Sequence, residues 1–450
     1  MPLLTDLNPT VRSHSTEASL VRVLGIRQLT AAIVNTTVGA GIFVIPAVVS
    51  QGLGAAAPVA FLLCAGIMAC VTISLAMCGS RVSITGGIYA YVETAFGPFV
   101  AFLAGVLQWL SCLLAVAGVA SALLDQIAVL TSGTITKVFQ VAVLTLILAG
   151  LAWLNARGVR PGTRLVEAIT AAKLIPLLVF TTVGLFFVDR AAIAWPGLPP
   201  GEALGRSVLF LLFAYAGVEV ALAPSGEVRD PARTVPRALF LALAVTTALY
   251  VAIQLVAQGI SGPALAQETA APLAEAAGRF LGRAGVTLML VGAVCSMFGY
   301  ICGDMLSSPR NLYALARDGF LPGIFARIHP VTRTPAVAIW AHAGLVLLVA
   351  STNTFQTLAI IGNVALLILY SLACAAAIAL ARRDVRTDGE PFAPPGAWIG
   401  PIAGLPLMLW ILSAATAPEL GVTAAVLVAS TVIYAYRASH LRRGFAVGGR

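Results

Sequence analysis

Thr37, Gly39 and Gly41 lie in the middle of "LTAAIVNTTVGAGIFVIPAVV", Leu29 to Val49, a stretch otherwise apolar enough to cross a bilayer. Their types point to chemistry done by the backbone. Glycine has no side chain to pack, and its chain readily leaves helical geometry. If the helix stops near Val38–Gly41 and restarts at Ile42, free N–H groups point into the gap. The positive end of the helix dipole then favours a carboxylate, while carbonyls ending the first half can accept from an ammonium group. A small zwitterion carries those two groups side by side. The same glycines equally suit close helix packing, which small residues allow between membrane helices.

A second constellation lies in "LFLLFAYAGVEVALAPSGEVRDP", where Ala214, Ala216 and Gly217 precede the acidic Glu219. A carboxylate inside a span is expensive without a partner, water or a proton. Phe213 and Tyr215 supply aromatic surface beside this break, which either covers a bound solute or faces lipid. Lys173 is one of two lysines in the chain and sits eight residues into the run begun at Leu165. That is about 12 Å of helix rise from the end. Snorkelling over that distance is stretched, so a partner lined by water or protein is expected. Lys137 lies near a span end. Asp304, shortly before Arg310, and Glu93 read as members of structural or gating ion pairs, and Asn363 as a hydrogen bonder within the bundle or the support of a break.

These residues need elements to hold them. Of the 450 residues, 59% are hydrophobic and 10% charged, with a mean hydropathy of +0.96. A soluble chain of this length cannot hide so much apolar surface, whereas a bundle of spans turns it to lipid. Apolar runs near 29–49, 54–78, 98–124, 135–154, 165–188, 206–225, 237–258, 284–306, 336–351, 355–380, 399–416 and 419–436 give twelve spans. Of the 27 Lys and Arg, 21 fall on one side if both termini are cytoplasmic. This is the positive-inside pattern of short loops. It accounts for the net charge of +9 through topology and anionic lipid. The arginines are dispersed over several loops, so a nucleic-acid groove is not indicated. The seven cysteines form no CxxC pair and read as small buried hydrophobes. His14, His329, His342 and His440 are scattered, without a paired acid or nucleophile at suggestive spacing. No motif indicates a catalytic residue, a metal site or a cofactor.

The chain resembles the amino acid–polyamine–organocation superfamily, especially bacterial amino acid permeases and exchangers. The resemblance rests on "VGAGIFVIP", "SITGGIYAYVETAFGPF", "FAYAGVEVALAPSGEVRDPARTVPRAL" and "SSPRNLYALARDGFLP", which in order cover nearly the whole chain. It implies an all-α integral membrane protein of twelve helices with a 5+5 inverted-repeat core. The first repeat would span 29–188 and the second 206–380. Two further helices would occupy 399–436, with cytoplasmic segments at 1–28 and 437–450. It implies substrate contacts at Thr37, Gly39, Ala40, Gly41 and Ile42, and at Phe213, Ala214, Tyr215, Ala216 and Gly217, with Phe213 near the place of a gating aromatic. Ala40 stands where many members carry Ser, which removes a hydroxyl but keeps the N–H. Glu219 matches an acidic position implicated in proton-sensitive coupling. Lys173 matches a lysine that in some sodium-independent members fills the space of a sodium ion. There it would bridge span one to span eight near Ser296.

Together these readings predict a multi-pass transporter of the cytoplasmic (inner) membrane. It would move amino acids by alternating access without sodium, in proton symport or exchange. Its partners would be the small-molecule substrate, protons and membrane lipids, with no nucleic acid. The alternatives are a polyamine or cationic amino acid antiporter, and a non-transporting receptor or sensor on the same scaffold.

Overall fold

The computed structural model of the chain describes residues 25–82, 87–130, 136–158, 163–195, 197–217, 228, 231–268, 270–386 and 390–447. Among these the regular structure is helical, apart from a single bridge residue at Val228. The expected first span is interrupted: α1 runs Ile26–Thr37, a 3₁₀ turn covers Gly41–Phe43, and α2 runs Ile45–Leu53. Pro46 stands in the first turn of α2, where its missing N–H costs no hydrogen bond. There follow α3 (Ala57–Gly79), the short α4 (Ile88–Phe96), α5 (Pro98–Leu130), α6 (Lys137–Ala156) and α7 (Thr163–Gly184). The second half contains α8 (Gly201–Tyr215), α9 (Pro231–Ser261), α10 (Pro272–Arg317), α11 (Ala336–Thr352) and α12 (Phe355–Arg382). The last two helices are α13 (Ile399–Ser413) and α14 (Ala417–Val447).

Eight helical stretches among the described residues are long and apolar enough to cross a membrane, and α11 and α13 are shorter apolar helices. Two expected spans differ in form. The run 206–225 is helical only to Tyr215, and its remainder from 218 lies outside the described residues. The run 284–306 belongs to a much longer helix that continues to Arg317, interrupted only at Gly282, whose φ of 59° suits glycine. Arg310 is therefore a helical residue.

The bundle centre is formed where α12 and α10 pack on α5, while α3 and α1 pack on α9. Glycine lets α10 approach α7: a Cβ at Gly292 would come within 2.7 Å of Pro176, and one at Gly299 within 2.5 Å of Ile169. Outward-facing apolar side chains such as Leu146, Leu348 and Val428 stay exposed. That exterior is stable against hydrocarbon and unstable against water.

Candidate substrate site between the broken helices

At the first break the chain leaves the helix at Val38, whose N–H still reaches the Val34 carbonyl at 2.8 Å. The Gly39 N–H donates to Thr37 O at 2.7 Å, and the helix resumes with Phe43 donating to Ala40 O and Val44 to Gly41 O. Among the described residues no hydrogen bond uses the N–H groups of Ala40, Gly41 or Ile42. The Thr37 hydroxyl beside them is buried and also has no partner. Buried donors without acceptors are rare in folded proteins. Together they form a concave set of donors at the start of a helical segment, complementary to an anion.

At the second break the Ala216 N–H still reaches Leu212 O, but Ala216 is extended and Gly217 has a φ of 113°. A Cβ at Gly217 would meet Thr36 Cγ2 at 3.2 Å and Thr36 O at 3.3 Å. The two interruptions therefore touch. Tyr250 of α9 joins them from behind, its fully buried hydroxyl lying 2.9 Å from Thr37 O and 3.0 Å from Ala214 O.

Between the breaks lies a cavity of about 70 Å³. Thr37, Gly39, Ala40, Gly41, Phe213, Ala216 and Gly217 line it, as does Thr36. Phe213 closes over Gly41, where a Cβ would come within 2.9 Å of Phe213 Cδ1, and its ring meets Phe355 edge-on at 5.2 Å. The other expected site residues face elsewhere. Ile42 is buried in the apolar core. Ala214 contributes the carbonyl held by Tyr250, and Tyr215 turns away to donate to Phe61 O at 3.2 Å.

The opposite wall was not foreseen. It comes from Gln108, Ser111, Cys112 and Ala115 of α5, Tyr300 of α10, and Gly362, Asn363 and Leu366 of α12. The signal was present in α5, because positions i, i+3, i+4 and i+7 form one stripe, and its first three members are the polar ones. Asn363 donates to Leu209 O at 2.7 Å while α12 runs on unbroken, so its role is a bond within the bundle. The reading of all cysteines as buried hydrophobes needs correction, since Cys70, Cys112, Cys295 and Cys302 are only partly buried and Cys112 borders the cavity. Among the described residues no acidic or basic side chain lines the cavity.

Lys173 of α7 does not enter it. Its ammonium donates to the Asn35 carbonyl of α1, while Thr170 donates to Asn35 Oδ1 at 3.1 Å. Ser296 of α10 is buried with its hydroxyl unpaired, so no hydrogen bond completes a bridge to the eighth expected span. Glu219 lies outside the described residues. Asp304 pairs with His342 of α11 at 2.9 Å, which corrects both the view of His342 as lacking an acid and the proximity to Arg310 as the guide. Glu93, outside the spans, makes no ion pair among the described residues; burial and then the neighbouring charge of Asp318 raise its carboxyl pKa. Among the described residues no group of His, Cys, Asp or Glu is spaced to hold a metal ion.

Comparison with known proteins gives a family match over residues 24–436, to the family described as "Amino acid permease". The methylthioribose transporter of Bacillus subtilis (strain 168) is 29% identical over 90% of this chain and 90% of its own. The serine/threonine exchanger SteT of the same organism is 28% identical over 82% of this chain and 86% of its own. Its branched-chain amino acid permease BcaP is 25% identical over 83% and 84%.

Proposed function

Since the chain belongs to the amino acid permease family, within the amino acid–polyamine–organocation superfamily, we propose that this multi-pass membrane transporter carries small neutral α-amino acids by alternating access. The observation that carries the reading is the set of unused N–H groups at Ala40, Gly41 and Ile42 beside the unpaired Thr37 hydroxyl. They suit the substrate carboxylate, and carbonyls at the end of α1 suit its ammonium. Gln108, Ser111 and Cys112 then meet the side chain with uncharged polar groups.

The twelve-span reading, with repeats at 29–188 and 206–380 and two added helices, makes the breaks at Gly39–Gly41 and Ala214–Gly217 equivalent points of the two halves. The distribution of Lys and Arg supports a cytoplasmic location for both termini. Lys173 supports sodium independence, because its ammonium already supplies a cation at the Asn35 carbonyl. Transport would then run as exchange or proton symport across the cytoplasmic membrane. A diamine or cationic amino acid finds no carboxylate among the described residues that line the cavity.

A second reading has support of its own. The uncharged polar wall also suits a neutral solute bearing hydroxyls, and one relative is named a methylthioribose transporter. Counterflow in proteoliposomes separates these readings. Competition by serine, threonine and branched-chain amino acids, with none by their decarboxylated amines, is the expected result. Competition by methylthioribose alone would transfer the assignment to the second reading. Binding without any counterflow would make the protein a sensor.

A further inference from the structure

The buried pair of Asp304 and His342 is not explained by substrate binding, and neither residue lines the cavity. Asp304 lies on α10 one helical turn beyond Tyr300, and His342 lies on the packed face of α11. His342 is fully buried and Asp304 is 8% exposed. His342 Nε2 is 2.9 Å from Asp304 Oδ2, and the Ser308 hydroxyl donates to Asp304 Oδ1. With Asp304 ionised, both carboxylate oxygens accept and the imidazole donates through Nε2. The other ring nitrogen, Nδ1, is buried with no hydrogen-bond partner.

That arrangement has an electrostatic consequence. A carboxylate holding a neutral imidazole and a hydroxyl carries one negative charge out of water, where an isolated charge is costly. The bare Nδ1 lone pair is the place where one proton would neutralise it. We propose that the Asp304–His342 pair is a proton-binding site that takes one proton from water onto His342 Nδ1, converting the pair from a net negative to a net neutral state.

On α9, which also packs on α10, the titratable and charged groups are Arg233, Arg237 and Tyr250. On α10, Arg310 is six residues, about 9 Å of rise, beyond Asp304, with Tyr313 and Arg317 farther on. Cys302 lies two residues before Asp304 and Cys295 nine, while Glu275, Arg279 and Arg283 occupy the far end of the helix. On α5, Cys112 borders the substrate cavity and Asp125 is 16 residues past Trp109, about 24 Å. The one charged residue of α6 is Lys137, at its first position, whereas the Ala156 end of α6 meets Thr334 just before α11. The 3₁₀ turn Gly323–Ala326 carries no titratable side chain. On α7, which packs along α10, Lys173 is held by Asn35, and Glu167 lies two residues before Ile169.

Trp109 connects the pair to the cavity. It lies between Gln108 and Cys112 on α5, with its ring 6.5 Å from that of His342 and its Nε1 buried without a partner. The Trp109 indole is thus the ring that faces any charge gained by His342. A proton on His342 would change the charge beside Trp109, which stands on the helix that forms one wall of the cavity. The coupling to transport rests on the transporter reading; the proton site itself does not.

The triple variant H14Q/H329Q/H440Q leaves His342 as the only histidine, so 15N imidazole NMR of the reconstituted protein reports this ring alone. The expected spectrum has Nε2 protonated and Nδ1 bare at alkaline pH, with a proton added to Nδ1 on acidification. D304N should alter that protonation step, and E167Q should leave it unaltered. A ring that never titrates, a proton already on Nδ1 at alkaline pH, or an equal shift in E167Q would overturn the proposal. In weakly buffered solution, substrate addition should move protons in the triple variant and move none in H342Q that still performs counterflow. If His342 titrates as expected but no solute shows counterflow in the wild type, the transporter reading fails and the proton site stands.

Discussion

The hydroxyl of Tyr250 lies 2.9 Å from the carbonyl oxygen of Thr37, at the point where α1 stops. The same hydroxyl is 3.0 Å from Ala214 O, near the end of α8. One proton thus serves two helix ends, and α9 fixes their separation. Tyr250 is wholly buried and its ring packs edge-on against Phe61 and Tyr215, so the ring would hold its place without the hydroxyl.

Tyr250→Phe should therefore keep the fold and loosen the join between the breaks. Losing a buried hydrogen bond is worth about 0.5–1.5 kcal/mol, or about 2- to 10-fold in an equilibrium. Substrate affinity in proteoliposomes should weaken by that factor, with unchanged protein yield. Unaltered affinity and turnover would show that the hydroxyl does not position the site.

The two glycines of the first break should respond unequally. A Cβ at Gly39 would lie 3.7 Å from Tyr300 Cδ2, an ordinary contact. One at Gly41 would meet Phe213 Cδ1 at 2.9 Å and Ile45 Cδ1 at 3.0 Å, driving the ring off the cavity. Gly39→Ala should retain most transport, Gly41→Ala should lose most of it, and Gly41→Val, with its stiff branched side chain, should nearly abolish it. All three should insert normally. Equal tolerance of alanine at both positions would count against Phe213 closing over Gly41.

Cys112 offers a chemical test of the cavity. It is partly buried, lines the cavity beside Ser111, and lies one turn from Gln108. A small uncharged thiol reagent should block transport, bound substrate should slow the block, and Cys112→Ser should be resistant. Block that persists in Cys112→Ser would place the reactive thiol elsewhere.

The parts of this site that could be read in the sequence are the local ones. Gly39, Gly41 and Gly217 mark the interruptions because a helix weakened by glycine in an apolar run is a property of neighbours in the chain. The α5 stripe was legible on the same terms, since Gln108, Ser111 and Cys112 follow helical spacing, but single polar residues in spans are too common to be chosen without the facing wall. Tyr250 is different. Nothing in "TTALYVAI" indicates that its hydroxyl reaches α1 and α8. Asp304 and His342 are 38 residues apart on separate helices, and Arg310 was a nearer partner in sequence. The extent of α10 was missed because its charged end, Ser308 to Arg317, looks like a loop by hydropathy and is helical in the fold.

Lys173 gives the last test. Its ammonium is held by a carbonyl of α1 one turn before the break, and it is mostly buried with Thr170 fixing the side chain of the same Asn35. A fixed cation there should make transport indifferent to sodium, whereas Lys173→Ala leaves the Asn35 carbonyl without its donor. If the lysine only ties α7 to α1, the variant should lose counterflow and gradient-driven uptake together, because the α1 break is then poorly held. If the lysine also gives up a proton during the cycle, counterflow should survive while accumulation against a pH gradient disappears. Both assays belong in the same vesicle preparation, with choline replacing sodium in a parallel set. Selective loss of accumulation assigns coupling to Lys173, and joint loss assigns it a positioning role. Uptake by the wild type that stops in choline would overturn sodium independence, whatever the variant does.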